Sequence, residues 1–81
     1  MYNVYVLKSK KNNKKYVGYT QKDPQERLHD HNTGSNAWTR QNGPFELIYV
    51  EPFSDKKAAL IKEKYLKTGA GRRFLKSITP L

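Results

Sequence analysis

The chain has 81 residues, so we expect one small domain over residues 1–81. Sixteen Lys and Arg residues against seven acidic residues give a net charge of +9, which favours a polyanionic partner such as nucleic acid. The lack of cysteine excludes disulfides and thiolate metal sites, and no segment resembles a signal peptide or a membrane span of ~20 apolar residues. We therefore expect a cytoplasmic protein with no membrane attachment.

Residues 2–8 and 14–19 are predicted to form two strands, because both segments are rich in β-branched and aromatic residues. The lysine- and asparagine-rich segment 10–13 supplies the turn between them. In an antiparallel hairpin with an even-length loop, Tyr5 and Tyr16 point to one face and the valines point to the other. One face of the hairpin is therefore expected to carry two phenols.

A helix start is predicted at residues 23–26 (DPQE), which combine an acidic cap, a proline for the first turn and a capping-box glutamate. The helix is expected to run to about Asn32, with Gly34 ending it in the left-handed conformation. Arg27 and His31 are four residues apart, so they lie on one side of this helix.

The remaining segments complete an α+β fold. Residues 35–44 predict a polar loop, residues 45–53 (FELIYVEPF) predict a third strand, and a short last helix carries the final apolar residues. The predicted order is ββ-α-β-α-α, a three-stranded antiparallel sheet flanked by three helices.

The second of these three helices is predicted from residue 56 to about residue 68. Ala58, Ile61 and Tyr65 recur at helical spacing and are expected to form its apolar stripe. Glu63 lies off that stripe, among lysines.

The chain offers a candidate for each function that hydrolysis of a phosphodiester requires. Tyr5 or Tyr16 is a candidate base if nearby cations lower its pKa from about 10, and His31 can take a proton from it or contact phosphate. Arg27 can clamp a phosphate oxygen, and Glu63 can hold a divalent cation. Each also has a simpler role: packing for the tyrosines, an inert helix position for His31, and a solvated charge for Arg27 and Glu63.

Further basic and aromatic residues suggest contacts with nucleic acid. Trp38 can stack on a base or cover a small core, and the sequence leaves both open. Arg40, Lys67, Arg72 and Arg73 are candidates for phosphate contacts, although charged runs are also common as plain solvated surfaces.

Four segments together resemble the nuclease domain of the GIY-YIG endonucleases, known from homing endonucleases and the excision-repair incision subunit. They are Asn3-Val4-Tyr5, Tyr16-Val17-Gly18-Tyr19-Thr20, the helix that carries Arg27 and His31, and the helix that carries Glu63. The resemblance covers essentially the whole chain, and the chain is similar in size to the small stand-alone members of the family.

The resemblance implies a role for each site residue. Tyr5 and Tyr16 would be the motif tyrosines, with Tyr5 as the working choice for the base. Arg27 would be the catalytic arginine, and His31 would support the tyrosine base. Glu63 would be the sole protein ligand of Mg²⁺ or Mn²⁺.

The sequence also departs from the family pattern. Asn3 replaces the glycine of the first motif. Many members carry an asparagine about a dozen residues after the glutamate, where this chain has Arg72 and Arg73, so one of these would contact phosphate or the contact would be missing. With 81 residues, the chain is expected to have no room for the target-choosing domain of larger members.

The sequence therefore predicts a divalent-metal-dependent endonuclease that cleaves DNA, with structure selectivity and a place in repair or recombination as the expected context. RNA is left open as a substrate, and target selection would fall to a protein partner or a homodimer. The alternatives are a non-catalytic basic module that binds nucleic acid and a protein-interaction domain whose charge serves solubility.

Overall fold

Three strands form one antiparallel sheet, as predicted. In a computed structural model that describes residues 1–34 and 37–78, without the side chains of residues 38 and 39, the sheet order is β2-β1-β3. The strands are β1 (Tyr2–Ser9), β2 (Lys15–Thr20) and β3 (Phe45–Phe53). The base stacking predicted for Trp38 concerns a side chain outside this description.

The register of the β1–β2 hairpin confirms the two predicted faces. Tyr5 pairs with Gly18 and Leu7 pairs with Tyr16, so these four residues lie on one face of the sheet. The valines of both strands lie on the other face. Because β2 is an edge strand, Tyr16 lies where one border of the sheet is open.

In the described residues, four helices surround the sheet, where the sequence predicted three. They are α1 (Pro24–Asn32), α2 (Ala37–Asn42), α3 (Lys56–Leu66) and α4 (Gly69–Ile78). The helix that was missed, α2, lies in the segment that was predicted to be a polar loop, so the order is ββ-α-α-β-α-α.

Contacts with the hairpin hold α2 in place. The Ser9 hydroxyl donates to the backbone carbonyl of Asn42, and the side-chain amide of Asn12 donates through Nδ2 to Asn42 Oδ1 at 2.7 Å. A helix of six residues with no apolar period has little stability of its own, so these long-range bonds matter more than local propensity. Sequence periodicity could not reveal such a helix.

Each face of the sheet has its own core. On the tyrosine face, α1 contributes Leu28 to a cluster with Tyr5, Leu7 and Phe45. On the valine face, α3 and α4 cover the strands with a second cluster, formed by Val4, Val6, Ala59, Leu66 and Leu75. None of the helices in the described ranges has the length and apolar character that a membrane span requires.

The buried side of α3 differs from the predicted stripe. Ile61 and Tyr65 are 61% and 42% exposed, whereas Ala59 and Leu66 are almost fully buried. The small Ala59 side chain lets the helix approach the sheet closely, which the larger residues of the predicted stripe would prevent. Glu63 lies four residues after Ala59 and three before Leu66, so it shares their side of the helix and is only 16% exposed.

Gly71 brings α4 tightly against the end of α3. A Cβ atom at this position would lie 2.1 Å from the Tyr65 carbonyl oxygen and 2.5 Å from Leu66 Cα. Only a glycine allows such an approach. The close contact places Arg72, the next residue, near Lys67 at the end of α3.

Candidate active site

Tyr5, Tyr16 and His31 form one cluster on the tyrosine face. The Tyr5 hydroxyl lies 3.2 Å from His31 Nε2, and both side chains are about 1% exposed. The ring centroids of Tyr16 and His31 are 4.6 Å apart, and those of Tyr5 and Tyr16 are 6.2 Å apart. The structure therefore brings together three of the predicted site residues from two strands and a helix.

The ends of α1 explain how Arg27 and His31 reach this cluster. The Asp23 carboxylate caps the helix by accepting from the Gln25 amide at 2.9 Å, and Gly34, with φ of +79°, follows its end. Both features were predicted. Between these fixed ends, the spacing of four residues directs both side chains toward the tyrosines.

Gly18 makes room for both tyrosine rings. A Cβ atom at Gly18 would lie 2.8 Å from the Tyr5 hydroxyl oxygen and 3.1 Å from Tyr16 Cε1. The rings therefore pass directly over the backbone of β2, and the glycine of the second motif has a steric role.

We expect Gly18→Ala to disturb the cluster, because the new methyl group must displace a buried phenol. Overpacking of this kind typically costs about 1–3 kcal/mol of folding free energy. Urea denaturation should show this loss. Gly69→Ala, where the nearest atom to a new Cβ would be Arg73 Nη1 at 3.7 Å, is the matched control and should not lower the free energy of unfolding.

The environment of Tyr5 and Arg27 sets the protonation state of each side chain. Burial raises the pKa of Tyr5, a hydrogen bond with Arg27 opposes this rise, and the neighbouring Tyr16 adds to it. The same hydrogen bond raises the pKa of Arg27, which also forms an ion pair with Asp30 at 3.3 Å. Tyr5 is thus a neutral phenol beside a permanent positive charge.

Burial, followed by the charge of Arg27, lowers the pKa of His31, while Asp30 opposes the shift. His31 is therefore neutral at physiological pH. Its Nδ1 atom is buried and has no hydrogen-bond partner among the described residues. In the tautomer protonated on Nδ1, Nε2 is free to accept the proton of the Tyr5 hydroxyl.

The lowered pKa of His31 predicts a specific loss of stability in acid. Below the usual histidine pKa of about 6.5, the unfolded chain binds a proton that the folded protein resists, so the free energy of unfolding falls as the pH falls. His31→Gln should remove this part of the pH dependence between about pH 7.5 and pH 5.5. The exposed His29, changed to Gln, is the control and should leave the dependence intact; equal slopes in the two variants would contradict the assignment.

Glu63 lies apart from this cluster. It belongs to α3, which packs on the valine face, and its ion-pair partner is Lys67 at 4.0 Å. No group of three or more His, Cys, Asp or Glu side chains that could hold a metal ion occurs within the described ranges. A largely buried carboxylate with such a long ion pair can still serve a cation that keeps most of its water ligands.

A cavity of about 260 Å³ at the open edge of β2 links the two sides of the sheet. Its lining residues, from β2, α3 and α4, are Lys15, Tyr16, Val17, Leu66, Lys67, Arg72 and Leu75. The edge-strand position of Tyr16 thus opens the cluster to a basic cavity, within one helical turn of Glu63.

The predicted phosphate contacts separate into two groups. Lys67 and Arg72 line the cavity beside Tyr16, whereas Arg73 does not. Arg40 donates to the Gly34 carbonyl at 3.0 Å, at the far end of α1. Of the two arginines in the region where the family asparagine is missing, Arg72 is the one that lies beside the tyrosine.

The three-stranded antiparallel sheet flanked by helices agrees with the fold that the resemblance to the GIY-YIG endonucleases implied. Residues 1–74 match the GIY-YIG catalytic domain family, and the chain belongs to that family.

Several relatives carry the same description, "UPF0213 protein". One from Staphylococcus haemolyticus is 38% identical over 76 residues, 93% of this chain and 90% of the relative. UPF0213 protein YazA from Bacillus subtilis is 44% identical over 64 residues, 78% of this chain and 63% of the relative. The solution NMR structure of a UPF0213 protein from Bacillus halodurans is similar to this one with a TM-score of 0.57 and 32% identity, covering 98% of this chain and 86% of that chain.

Membership places the chain in a family of nuclease domains, which implies a nucleic-acid substrate. Nucleases of this family generally use divalent metals. The structure adds residues that the sequence did not single out: Gly18 beneath the rings, Asp30 beside Arg27 and Lys15 in the cavity. Asp30 was open to prediction, since it lies three residues after Arg27 on the same helix.

Proposed function

We propose that this protein is a divalent-metal-dependent endonuclease that hydrolyses DNA phosphodiester bonds at the Tyr5–Tyr16–His31 cluster. The observation that carries the proposal is the contact of Tyr5 with His31 Nε2, which joins a buried phenol to a neutral base. A role in packing alone does not require a contact between the hydroxyl of a buried phenol and a ring nitrogen of a buried histidine.

The two phenols would act one after the other in transferring the proton of the attacking water. Tyr16 is the more exposed and lines the cavity, while Tyr5 is buried, contacts His31 Nε2 through its hydroxyl and has a hydrogen-bonding interaction with Tyr16. Tyr16 would take a proton from the attacking water and pass its own to Tyr5. Tyr5 would in turn pass its proton to His31 Nε2. Tyr16 rather than Tyr5 then meets the substrate, which revises the working choice made from the sequence.

Arg27 would stabilise the charge that develops on the phosphate. Its interactions with Tyr5 and Asp30 fix the guanidinium beside the phenols, and its fork of donors matches two phosphate oxygens. A preoriented charge of this kind does not have to reorganise during the reaction.

Glu63 would hold Mg²⁺ or Mn²⁺. Its carboxylate oxygens are the ligands that these hard cations prefer, and water and substrate phosphate would complete the coordination. The bound cation supplies positive charge that stabilises the leaving oxygen.

We expect Tyr5→Phe and Tyr16→Phe to lower the single-turnover cleavage rate, each by about 10²–10⁴-fold, the usual contribution of acid–base catalysis. Their effects on stability should differ. Tyr5→Phe leaves both nitrogens of the buried His31 without a partner among the described residues, at a cost of about 1–3 kcal/mol. Tyr16→Phe should be milder, because its side chain is partly exposed. Urea unfolding and cleavage, measured on the same preparations, test both statements; wild-type rates in both variants would assign the phenols to packing.

Cleavage of a substrate panel tests the proposed function. Branched, flapped, single-stranded and duplex DNA should be incubated with the protein in Mg²⁺, in Mn²⁺ and in EDTA. The proposal expects internal cleavage that requires the metal, with branched or flapped DNA preferred if the protein serves repair or recombination. Binding without cleavage of any substrate would instead support a non-catalytic nucleic-acid-binding module.

A further inference from the structure

A second basic cavity continues outward from the one at Tyr16. It has a volume of about 430 Å³ and lies between the turn of the β1–β2 hairpin and α4. Its lining residues are Asn13, Lys14, Lys15, Arg72 and Lys76. Because Lys15 and Arg72 line both cavities, the two form one groove, which we call the hairpin–α4 groove.

We infer that the DNA backbone leaves the catalytic cluster along the hairpin–α4 groove and not along the cavity beside α1. The inference rests on the proposed function, and it assigns Lys14, Lys15 and Lys76 to DNA binding in addition to Lys67 and Arg72.

The charges of the lining residues support this path for the DNA backbone. Every charged residue that lines the groove is a lysine or an arginine. A cavity beside α1 is different, because Glu26 and Asp30 line it together with Lys22 and His29. A polyanion is therefore attracted to the hairpin side of Tyr16 and not to the α1 side.

Four of the five cations that line the groove are available for phosphate, and the exception is Lys67. In the part of the chain that the structure describes, the ion pairs engage Arg27, Lys62 and Lys67, and none engages Lys14, Lys15, Arg72 or Lys76. Binding of phosphate to these four would not require an existing ion pair to break.

Hydrogen bonds fix the hairpin turn that carries Lys14 and Lys15. The Ser9 hydroxyl accepts from the amides of Lys11 and Asn12 at 3.0 and 3.2 Å, and Asn13 has φ of +63°. The Lys10 amide donates to the Pro44 carbonyl at 2.8 Å, which ties the turn to the segment before β3. The lysines therefore project from a preorganised support, which lowers the entropic cost of binding.

The composition of the groove indicates what it recognises. Lysine and arginine side chains bind phosphate oxygens but carry no information about sequence in that role. The outer part of the groove has no aromatic side chain on which a base could stack. Binding should therefore be steeply dependent on salt and nearly independent of sequence.

Salt titration of DNA binding tests the inference. The probe is a fluorescent duplex in EDTA, so that cleavage plays no part. The groove variant Lys14→Gln/Lys76→Gln should reduce the slope of log K against log salt by about 1.8, at about 0.9 for each phosphate contact. The matched control is Lys56→Gln/Lys57→Gln, which removes the same charge from exposed positions at the other end of α3, about 15 Å from Lys67. The control should retain the wild-type slope.

Equal losses of slope in the two double variants would overturn the inference, because binding would then follow net charge alone. An unchanged slope in the groove variant would also overturn it. Failure of the groove is distinguishable from failure of the proposed function. If the wild type cleaves DNA but the groove variant keeps the wild-type slope, only the inference about the groove is rejected. If the groove variant loses slope but the wild type does not cleave DNA, only the proposed nuclease function is rejected.

Discussion

Glu63→Gln is expected to abolish metal-dependent cleavage while the protein remains folded and bound to DNA. The substitution keeps the shape of a side chain that is 16% exposed and removes the charge that a divalent cation needs. Lewis-acid stabilisation is worth several kcal/mol, so the rate should fall by roughly 10³-fold or more. If Glu63 is only the partner of Lys67, at 4.0 Å, its loss should change stability by less than about 1 kcal/mol and leave the rate unchanged.

Glu46→Gln is the control for Glu63→Gln, because it removes the same charge from an exposed position on β3. It should cleave at the wild-type rate. DNA binding in EDTA should persist or tighten in both variants, since each gains one unit of positive charge. Wild-type cleavage by Glu63→Gln, in an assay that EDTA stops for the wild type, would falsify the metal role.

Arg27→Ala is expected to cause the second large loss of activity. Removal of a preoriented group aimed at the developing charge typically costs about 10²–10³-fold in rate, and neither water nor a neighbouring lysine reproduces the guanidinium fork. His31→Ala should reduce the cleavage rate less than Arg27→Ala does, because water can partly replace a proton acceptor. Single-turnover rates at saturating protein separate this loss from weaker DNA binding.

Asp30→Asn is the matched control for Arg27, because it breaks the 3.3 Å ion pair but keeps the guanidinium. Both partners of this pair are about one-third exposed, so its loss should cost no more than about 1 kcal/mol. The control should retain most of the activity. If Arg27→Ala and Asp30→Asn have equal rates, Arg27 serves the helix and not the reaction.

The hairpin and the first helix could be predicted from sequence because local rules determine them. Alternation along two strands places Tyr5 and Tyr16 on one face, and the structure pairs them with Gly18 and Leu7 on that face. The Asp23 cap likewise sets where α1 begins. Such features depend on neighbours in the chain and not on the rest of the fold.

Features that depend on distant contacts were missed or wrong. The helix α2 is held by Ser9 and Asn12, which are about thirty residues earlier in the chain. The buried side of α3 was predicted from the large apolar residues, but space at the sheet favoured Ala59. Ile61 remains exposed, and Tyr65 receives a cation–π contact from Lys62 at 5.4 Å. Where α3 packs on the sheet, the size of the side chain therefore decided which residue is buried, and its hydrophobicity did not.

For the candidate site, the sequence named candidate residues but could not show how they lie relative to one another. It could not show that Tyr5 is buried while Tyr16 meets a cavity, because both have the same strand pattern. It also placed Glu63 among solvated lysines, since the wrong stripe was assigned to the core. The choice between Arg72 and Arg73 required the close contact at Gly71.

Cleavage by the wild type and by a Glu63→Gln/Tyr16→Phe double variant, purified in the same way, tests the central claim most directly. An end-labelled branched DNA should be incubated with excess protein in Mg²⁺, with EDTA as the blank, and binding should be measured on the same samples. We predict metal-dependent cleavage by the wild type and none by the double variant, with similar binding by both. Equal cleavage by the two proteins, or none by either despite tight binding, would contradict the assignment of a nuclease site to these residues.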